Sequence, residues 1–166
     1  MNTAAWNSFE VKIPVRTDVK TLYECWTTQS GIESWFLRSA IFTSAQGVTR
    51  KKDEPIQKGD GYTWHWHGYN DDAVEKRVIT EANGKDFLQF EFSGNCLVTV
   101  RLQPAKDHTM VLLTQERIPE DNNPKTNLFV GCQLGWSFYL ANLKSIVEGG
   151  IDLRNRDTTL THVVNA

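Results

Sequence analysis

Residues 123–149 constrain this chain more than any other stretch. Asn123 is a good N-cap, Pro124 suits a first helical position, and Gly149-Gly150 supplies a stop. Between them Trp136, Leu140, Leu143 and Val147 recur at intervals of four, three and four, and Phe129 and Cys132 extend the stripe upstream. At ~1.5 Å per residue such a helix would be roughly 39 Å long. A helix of that length with so aromatic a face needs a broad apolar surface to lie on. A sheet is the natural partner.

The preceding residues read as that sheet. Trp6 to Val15 alternates into a first strand, with Phe9, Val11 and Ile13 set against Glu10 and Lys12. Thr17 or Asp18 can cap a short helix carrying Val19, Leu22, Tyr23 and Trp26. Ser30-Gly31 resets the chain before a second short helix with Ile32, Trp35 and Phe36, and Ser39 to Ala45 reads as another strand. Gln46 to Asp60 is a polar loop. Beyond it, Tyr62–Tyr69, Val74–Glu81, Phe87–Phe92, Leu97–Leu102 and Met110–Ile118 are short strand-like runs joined by Asn70-Asp71-Asp72, Asn83-Gly84, Gly94-Asn95 and Lys106-Asp107. Short strands with tight turns imply an antiparallel meander.

Strand parity assigns faces. Trp64 and Trp66 share one, His65 and His67 the other; Leu88, Phe90 and Phe92 fall together, as do Val98, Val100 and Leu102, and Val111, Leu113 and Gln115. If these sets face the helix, one concave surface carries several rings and a lone amide. It is either a solid core or a lined cavity. Trp requires a partner for its N–H, so three of them beside Gln115 suit an apolar pocket with few polar anchors.

The chain has 166 residues, a net charge of −2 and 40% apolar residues, which fits one domain with a real core and gives no electrostatic grip on nucleic acid. Three cysteines without a Cys-x-x-Cys pair argue against a disulfide framework or zinc site. The first residues lack the pattern of a signal peptide, and no apolar run is long enough for a membrane span. The expectation is a cytoplasmic protein without cofactor. Arg50-Lys51-Lys52, followed by Asp53-Glu54, reads as a solvated loop.

His65 and His67 at i and i+2 could share a metal, but no third ligand arrives at a fitting spacing and the Trp parity turns both outward. No metal is expected. Gly131 and Gly135 cost about 1 kcal/mol each inside a helix, so they imply either close backbone approach or room for a pocket. Glu24, Glu33, Glu91 and Glu116 read as solvated, and Cys132 as a small buried hydrophobe.

The segment Trp26-Thr27-Thr28-Gln29-Ser30-Gly31-Ile32-Glu33-Ser34-Trp35-Phe36 resembles the early helical signature of the activator of heat-shock protein 90 ATPase homologue family. The closing run Gly135-Trp136, Leu140, Leu143-Lys144 and Val147 to Arg154 is similar to that family's C-terminal pattern. The family belongs to the START-like (SRPBCC, helix-grip) superfamily. The resemblance implies an α+β fold: a curved antiparallel sheet of about six or seven strands around a long C-terminal helix, with two short helices after the first strand. It would occupy residues 1–154, with 155–166 as a polar tail. It also implies a lipid-binding-like cavity between helix and sheet, lined by Trp35, Phe36, Trp64, Trp66, Phe90, Gln115, Phe129, Trp136 and Leu140.

The leading expectation is therefore a protein that holds a hydrophobic or amphipathic small molecule, without catalytic residues. Two alternatives stand beside it. One is a cyclase- or hydrolase-type enzyme using the same cavity, which needs an inward titratable group. The other is a chaperone cofactor of the activator type, which needs an exposed docking face. Homodimer formation is left open.

Overall fold

The computed structural model describes residues 6–164, and the alternating runs become one seven-stranded antiparallel sheet in the order β1-β7-β6-β5-β4-β3-β2. Its strands are β1 (Phe9–Val15), β2 (Ser39–Thr43), β3 (Gly61–His65), β4 (Val74–Ala82), β5 (Phe87–Phe92), β6 (Cys96–Pro104) and β7 (Thr109–Glu116). Two short helices, α1 (Val19–Thr27) and α2 (Gln29–Trp35), follow β1, and α3 (Leu128–Val147) closes the fold. The sheet is open and curved, with a register shift between Ile79 and Glu81 of β4. The helix-grip expectation holds.

Parity places the side chains as expected. Val98, Val100, Leu102, Val111, Leu113 and Gln115 are all buried on the inner face, as are Leu88 and Phe90. Trp136, Leu140 and Leu143 of α3 and Leu22, Trp26, Ile32 and Trp35 of the short helices complete the core. Each such side chain stabilises by about 1.5–3 kcal/mol when fully buried.

Several boundaries differ from the sequence reading, each for a local reason. The long helix starts at Leu128, four residues later than Pro124 suggests, and is capped by Asn127, whose Oδ1 accepts from Val130 N at 3.2 Å. Asn123 instead caps its own turn, accepting from Lys125 N at 3.0 Å, and Asp121 Oδ2 holds the Thr126 hydroxyl. Twenty helical residues then span roughly 30 Å. Ser30-Gly31 does not reset the chain but lies inside α2. The junction is Thr28, which closes α1 through its N–H to Glu24 O and opens α2 by accepting from Gly31 N at 3.0 Å. β1 begins at Phe9 rather than Trp6, and β2 ends at Thr43.

β3 stops at His65, where the sequence run continues to Tyr69. Arg38 ends the ladder: its N–H donates to His65 O at 2.9 Å and its Nε to Trp66 O at 3.3 Å. Gly68 then takes a left-handed φ of 81° and turns the chain. Trp66 and Tyr69 thus sit on a loop, residues 66–73, rather than on the sheet.

The segment after α3 is tied down. Arg154 Nη1 donates to Glu33 O and Leu37 O, and Nη2 to Ser34 O, all within 3.0 Å, so one guanidinium satisfies carbonyls at the end of α2. Asn142 adds bonds to Trp35 O at 2.7 Å and from Leu153 N at 2.8 Å. Residues 155–164 carry no helix or strand; 165–166, and the Met1–Ala5 stretch on which the signal-peptide reading rests, lie outside the described residues.

Candidate ligand-binding groove

Between α3, the 66–73 loop and the β5–β6 turn, the inner surface is not filled. A groove of about 370 Å³ remains there, open on one side. From α3 it is bordered by Gly131, Cys132, Gly135, Trp136 and Tyr139. Phe36 closes it beneath α2, Trp66, Tyr69 and Ala73 come from the loop, and Phe92 and Ser93 from the end of β5. Six of these residues carry aromatic rings and none is Asp, Glu, His, Lys or Arg. An apolar wall with a few hydroxyl and thiol groups is the usual make-up of a small-molecule site.

Of the two helix glycines, Gly135 is buried and Gly131 is exposed. A Cβ built on Gly131 meets nothing within 4 Å, so no close packing demands glycine there. From that exposed position Gly131 borders the groove. Ser93 carries a cost of its own: its φ of 48° is left-handed, an unfavourable region for a residue with a Cβ, on the order of 1 kcal/mol or more. That turn places its hydroxyl at the groove, where Oγ accepts from Cys132 Sγ at 3.8 Å.

Trp136 is held by Gln115, whose Oε1 accepts from the indole Nε1 at 2.9 Å in a fully buried contact. Gln115 therefore orients the ring that borders the groove. Its side chain also lies beside the Cys96 and Cys132 thiols, while among the described residues its Nε2 and the Trp26 and Trp64 indole nitrogens find no hydrogen-bond partner.

The electrostatics are those of a neutral site. Burial pushes the Cys132 thiol and the Tyr69 and Tyr139 phenols upward, so all three remain protonated at neutral pH. Thiol, hydroxyl and phenol are the chemistry these walls supply. His65 ends β3, whereas His67 lies in the loop, its pKa lowered by burial and by Arg154; the two do not share a strand. Among the described residues no group of three His, Cys, Asp or Glu is placed to hold a metal.

Of the nine residues expected to line a cavity, Phe36, Trp66 and Trp136 border the groove. Trp35, Trp64, Phe90, Gln115 and Leu140 are buried behind it, and several form ring contacts with its walls, such as Trp35 on Phe36 at 5.2 Å and Phe90 on Trp136 at 6.3 Å. Phe129 packs elsewhere, between Trp6 at 5.0 Å and Phe9 at 5.5 Å. Sequence reasoning missed Tyr69, Ser93, Cys132 and Tyr139 as groove residues. The Gly131/Gly135 spacing pointed to this part of α3, but nothing local marks the turn residue Ser93.

A curved antiparallel sheet closed around a long helix, with an apolar groove between them, defines the helix-grip class. The chain belongs to the Activator of Hsp90 ATPase homolog 1-like protein family, whose model matches residues 16–148. Its fold is shared with protein SSP2350 from Staphylococcus saprophyticus (18% identity, TM-score 0.68, covering 91% of this chain and 98% of that one). The Aha1 dimer from Colwellia psychrerythraea is also similar (13% identity, TM-score 0.65, 86% and 97% covered). So is DynU16, a putative protein of the dynemicin biosynthetic locus (15% identity, TM-score 0.65), of which this chain spans about half, 48%, while 86% of this chain is covered. No curated protein sequence matches the chain. No helix among the described residues is long and apolar enough to cross a membrane.

Proposed function

We propose that this protein binds a hydrophobic or amphipathic small molecule in the groove between α3 and the sheet. The observation that carries the reading is the aromatic-lined groove of about 370 Å³, bordered on α3 by Gly131, a helix glycine where a Cβ would meet no neighbour. Helix propensity disfavours glycine there and no packing requires it, so the room it leaves is the feature to be explained. Phe36, Trp66 and Trp136 supply contact area, with Tyr69, Phe92 and Tyr139 around them. Trp35, Trp64, Phe90 and Leu140 support these walls, and Gln115 orients Trp136.

Native mass spectrometry of the purified protein, with extraction of any released compound, tests the reading together with Trp emission across a panel of lipophiles. Gly131→Leu fills the groove with a better helix former. It is expected to weaken lipophile binding at least tenfold while the melting temperature is unchanged or higher. Unchanged binding in Gly131→Leu, or a wild type whose Trp emission no lipophile shifts, overturns it.

One observation favours a second reading, self-association. Val130 and Leu134 are 51% and 58% exposed and flank Gly131 on α3, a pairing that a partner helix could cover. The similar Colwellia psychrerythraea protein is described as a dimer. Sedimentation of the wild type against Leu134→Glu separates the outcomes: a dimer lost in the variant supports this interface, and a monomeric wild type removes it.

A further inference from the structure

We propose that Cys96 and Cys132 form an internal disulfide when the protein meets a hydroperoxide, and that the bond ties the start of β6 to α3. The two thiols are far apart in sequence, and only the fold brings them together. Cys96 opens β6 and pairs with Phe92 across the β5–β6 turn. Ser93 follows Phe92 in that turn and its Oγ accepts from Cys132 Sγ at 3.8 Å, so the helix thiol stands against the same turn. Gln115 is fully buried and lies beside both sulfurs. Its Oε1 is taken by the Trp136 indole, which leaves the amide Nε2 as the group facing the thiols. One amide in contact with both makes the sulfurs neighbours. The pairing does not depend on an occupant in the groove.

Exposure divides the roles. Cys132 is half-buried and borders the open groove, whereas Cys96 is fully buried, its Sγ donating to Arg117 O at 3.7 Å. The Cys132 sulfur therefore meets the oxidant first. As a thiolate it attacks one peroxide oxygen and the O–O bond breaks. The other oxygen leaves with the proton that the thiol shed, as an alcohol, or as water when the oxidant is hydrogen peroxide. Cys132 is left as a sulfenic acid. The Cys96 sulfur then attacks the Cys132 sulfur, the S–O bond breaks, and the hydroxide leaves as water with the Cys96 proton. In all, the two thiols lose two electrons and the peroxide gains them.

The surroundings set the pace and favour the product. Burial pushes both thiols up, and the Glu75 carboxylate, which faces both, adds to the shift; the Gln115 amide and, at Cys132, the Ser93 hydroxyl act the other way. Little thiolate is present at neutral pH, so oxidation is slow there and quickens as pH rises. The disulfide itself carries no charge and loses nothing by burial. Reducing it must expel a thiolate into the same apolar site, which resists that step. Cys25 lies where α1 abuts Gly31 and serves as the reference thiol.

Treatment with hydrogen peroxide, followed by N-ethylmaleimide in denaturant, intact mass and peptide mapping, tests the pairing. Untreated protein has three thiols to label. The oxidised wild type is expected to take one label, at Cys25, and to yield one linked peptide pair carrying Cys96 and Cys132. Dithiothreitol should restore all three thiols. Closing so long a loop should raise the melting temperature by about 5–15 °C. Cys25→Ser should form the same link and Cys132→Ala none, and the wild-type rate should climb from about pH 7 to about pH 9. Three labels after peroxide, a sulfinic acid at Cys132 with Cys96 still free, or a link only between two copies overturns the pairing. A rate indifferent to pH overturns Cys132 thiolate as the attacking group. A linked protein that melts no higher than the reduced one overturns the tie between β6 and α3.

Discussion

Gly31 and Gly131 both lie within helices, yet for opposite physical reasons. A Cβ on Gly31 would come within 2.1 Å of Glu24 O, because α2 starts against the last turn of α1. A Cβ on Gly131 would touch nothing. The same substitution should therefore change sign between them. Gly31→Ala is expected to lower stability by about 1–3 kcal/mol, as overpacking does, whereas Gly131→Ala should raise it by up to about 1 kcal/mol through helix propensity. Urea midpoints of the two variants check this; two effects of the same sign would contradict the packing described. Gln115 makes the third residue-scale case. Gln115→Leu leaves the Trp136 indole N–H buried without its acceptor, which should cost about 1–3 kcal/mol and alter the near-ultraviolet dichroism of Trp136. A variant as stable as the wild type with an unchanged spectrum would remove the orienting role of Gln115.

At the scale of elements, the short helix α2 depends on a distant segment. Arg154, with its side chain only 3% exposed, supplies hydrogen bonds to three carbonyls of residues 33–37 and pairs with Asp152 Oδ2 at 2.8 Å. Arg154→Ala leaves those carbonyls without their donor, while Asp152 keeps Arg156 at 3.0 Å, and a loss of about 1–3 kcal/mol is expected. The Arg154 bonds hold the Asp152 carboxyl well below the usual carboxylate range. A carboxyl whose folded pKa is depressed adds stability above its unfolded pKa and loses it as pH falls toward the folded one. Glu148, at the end of α3, is likewise lowered to about 2 by Lys144 and by the Arg16 backbone N–H. The contribution of these two carboxyls should then be level above about pH 5 and decline steadily from there to about pH 2. Urea midpoints across that range should show a shallower decline for Asp152→Asn, because one of the two carboxyls no longer titrates; an unchanged slope would assign the acid sensitivity elsewhere.

At the scale of the whole molecule, sequence and structure divide the work along a clear line. Period-two alternation placed Val98, Val100, Val111, Leu113 and Gln115 on the inner face, and they are there, because a strand's two faces are set by backbone geometry alone. A cap for α1 at Thr17 or Asp18, of which Asp18 is the one used, the Asn83-Gly84 hairpin and the apolar stripe of α3 were equally legible, being local in origin. Element ends were less so: Asn123 and Asn127 are both good caps, and the bonds that Thr126 and Asn127 donate to Asp121 decided between them. The candidate site was legible only as a set of inward rings. Trp64 and Trp66 share a parity, yet one is core and the other borders the groove, because Arg38 ends β3 between them and turns the chain away. Phe129 lies on the helix stripe but packs against β1 instead. Periodicity by itself determined which way each side chain points and hence the fold. Only tertiary structure decided which of those side chains meet a neighbour and which meet a space, because that depends on how far α3 stands from the sheet and where the loops cross its edge.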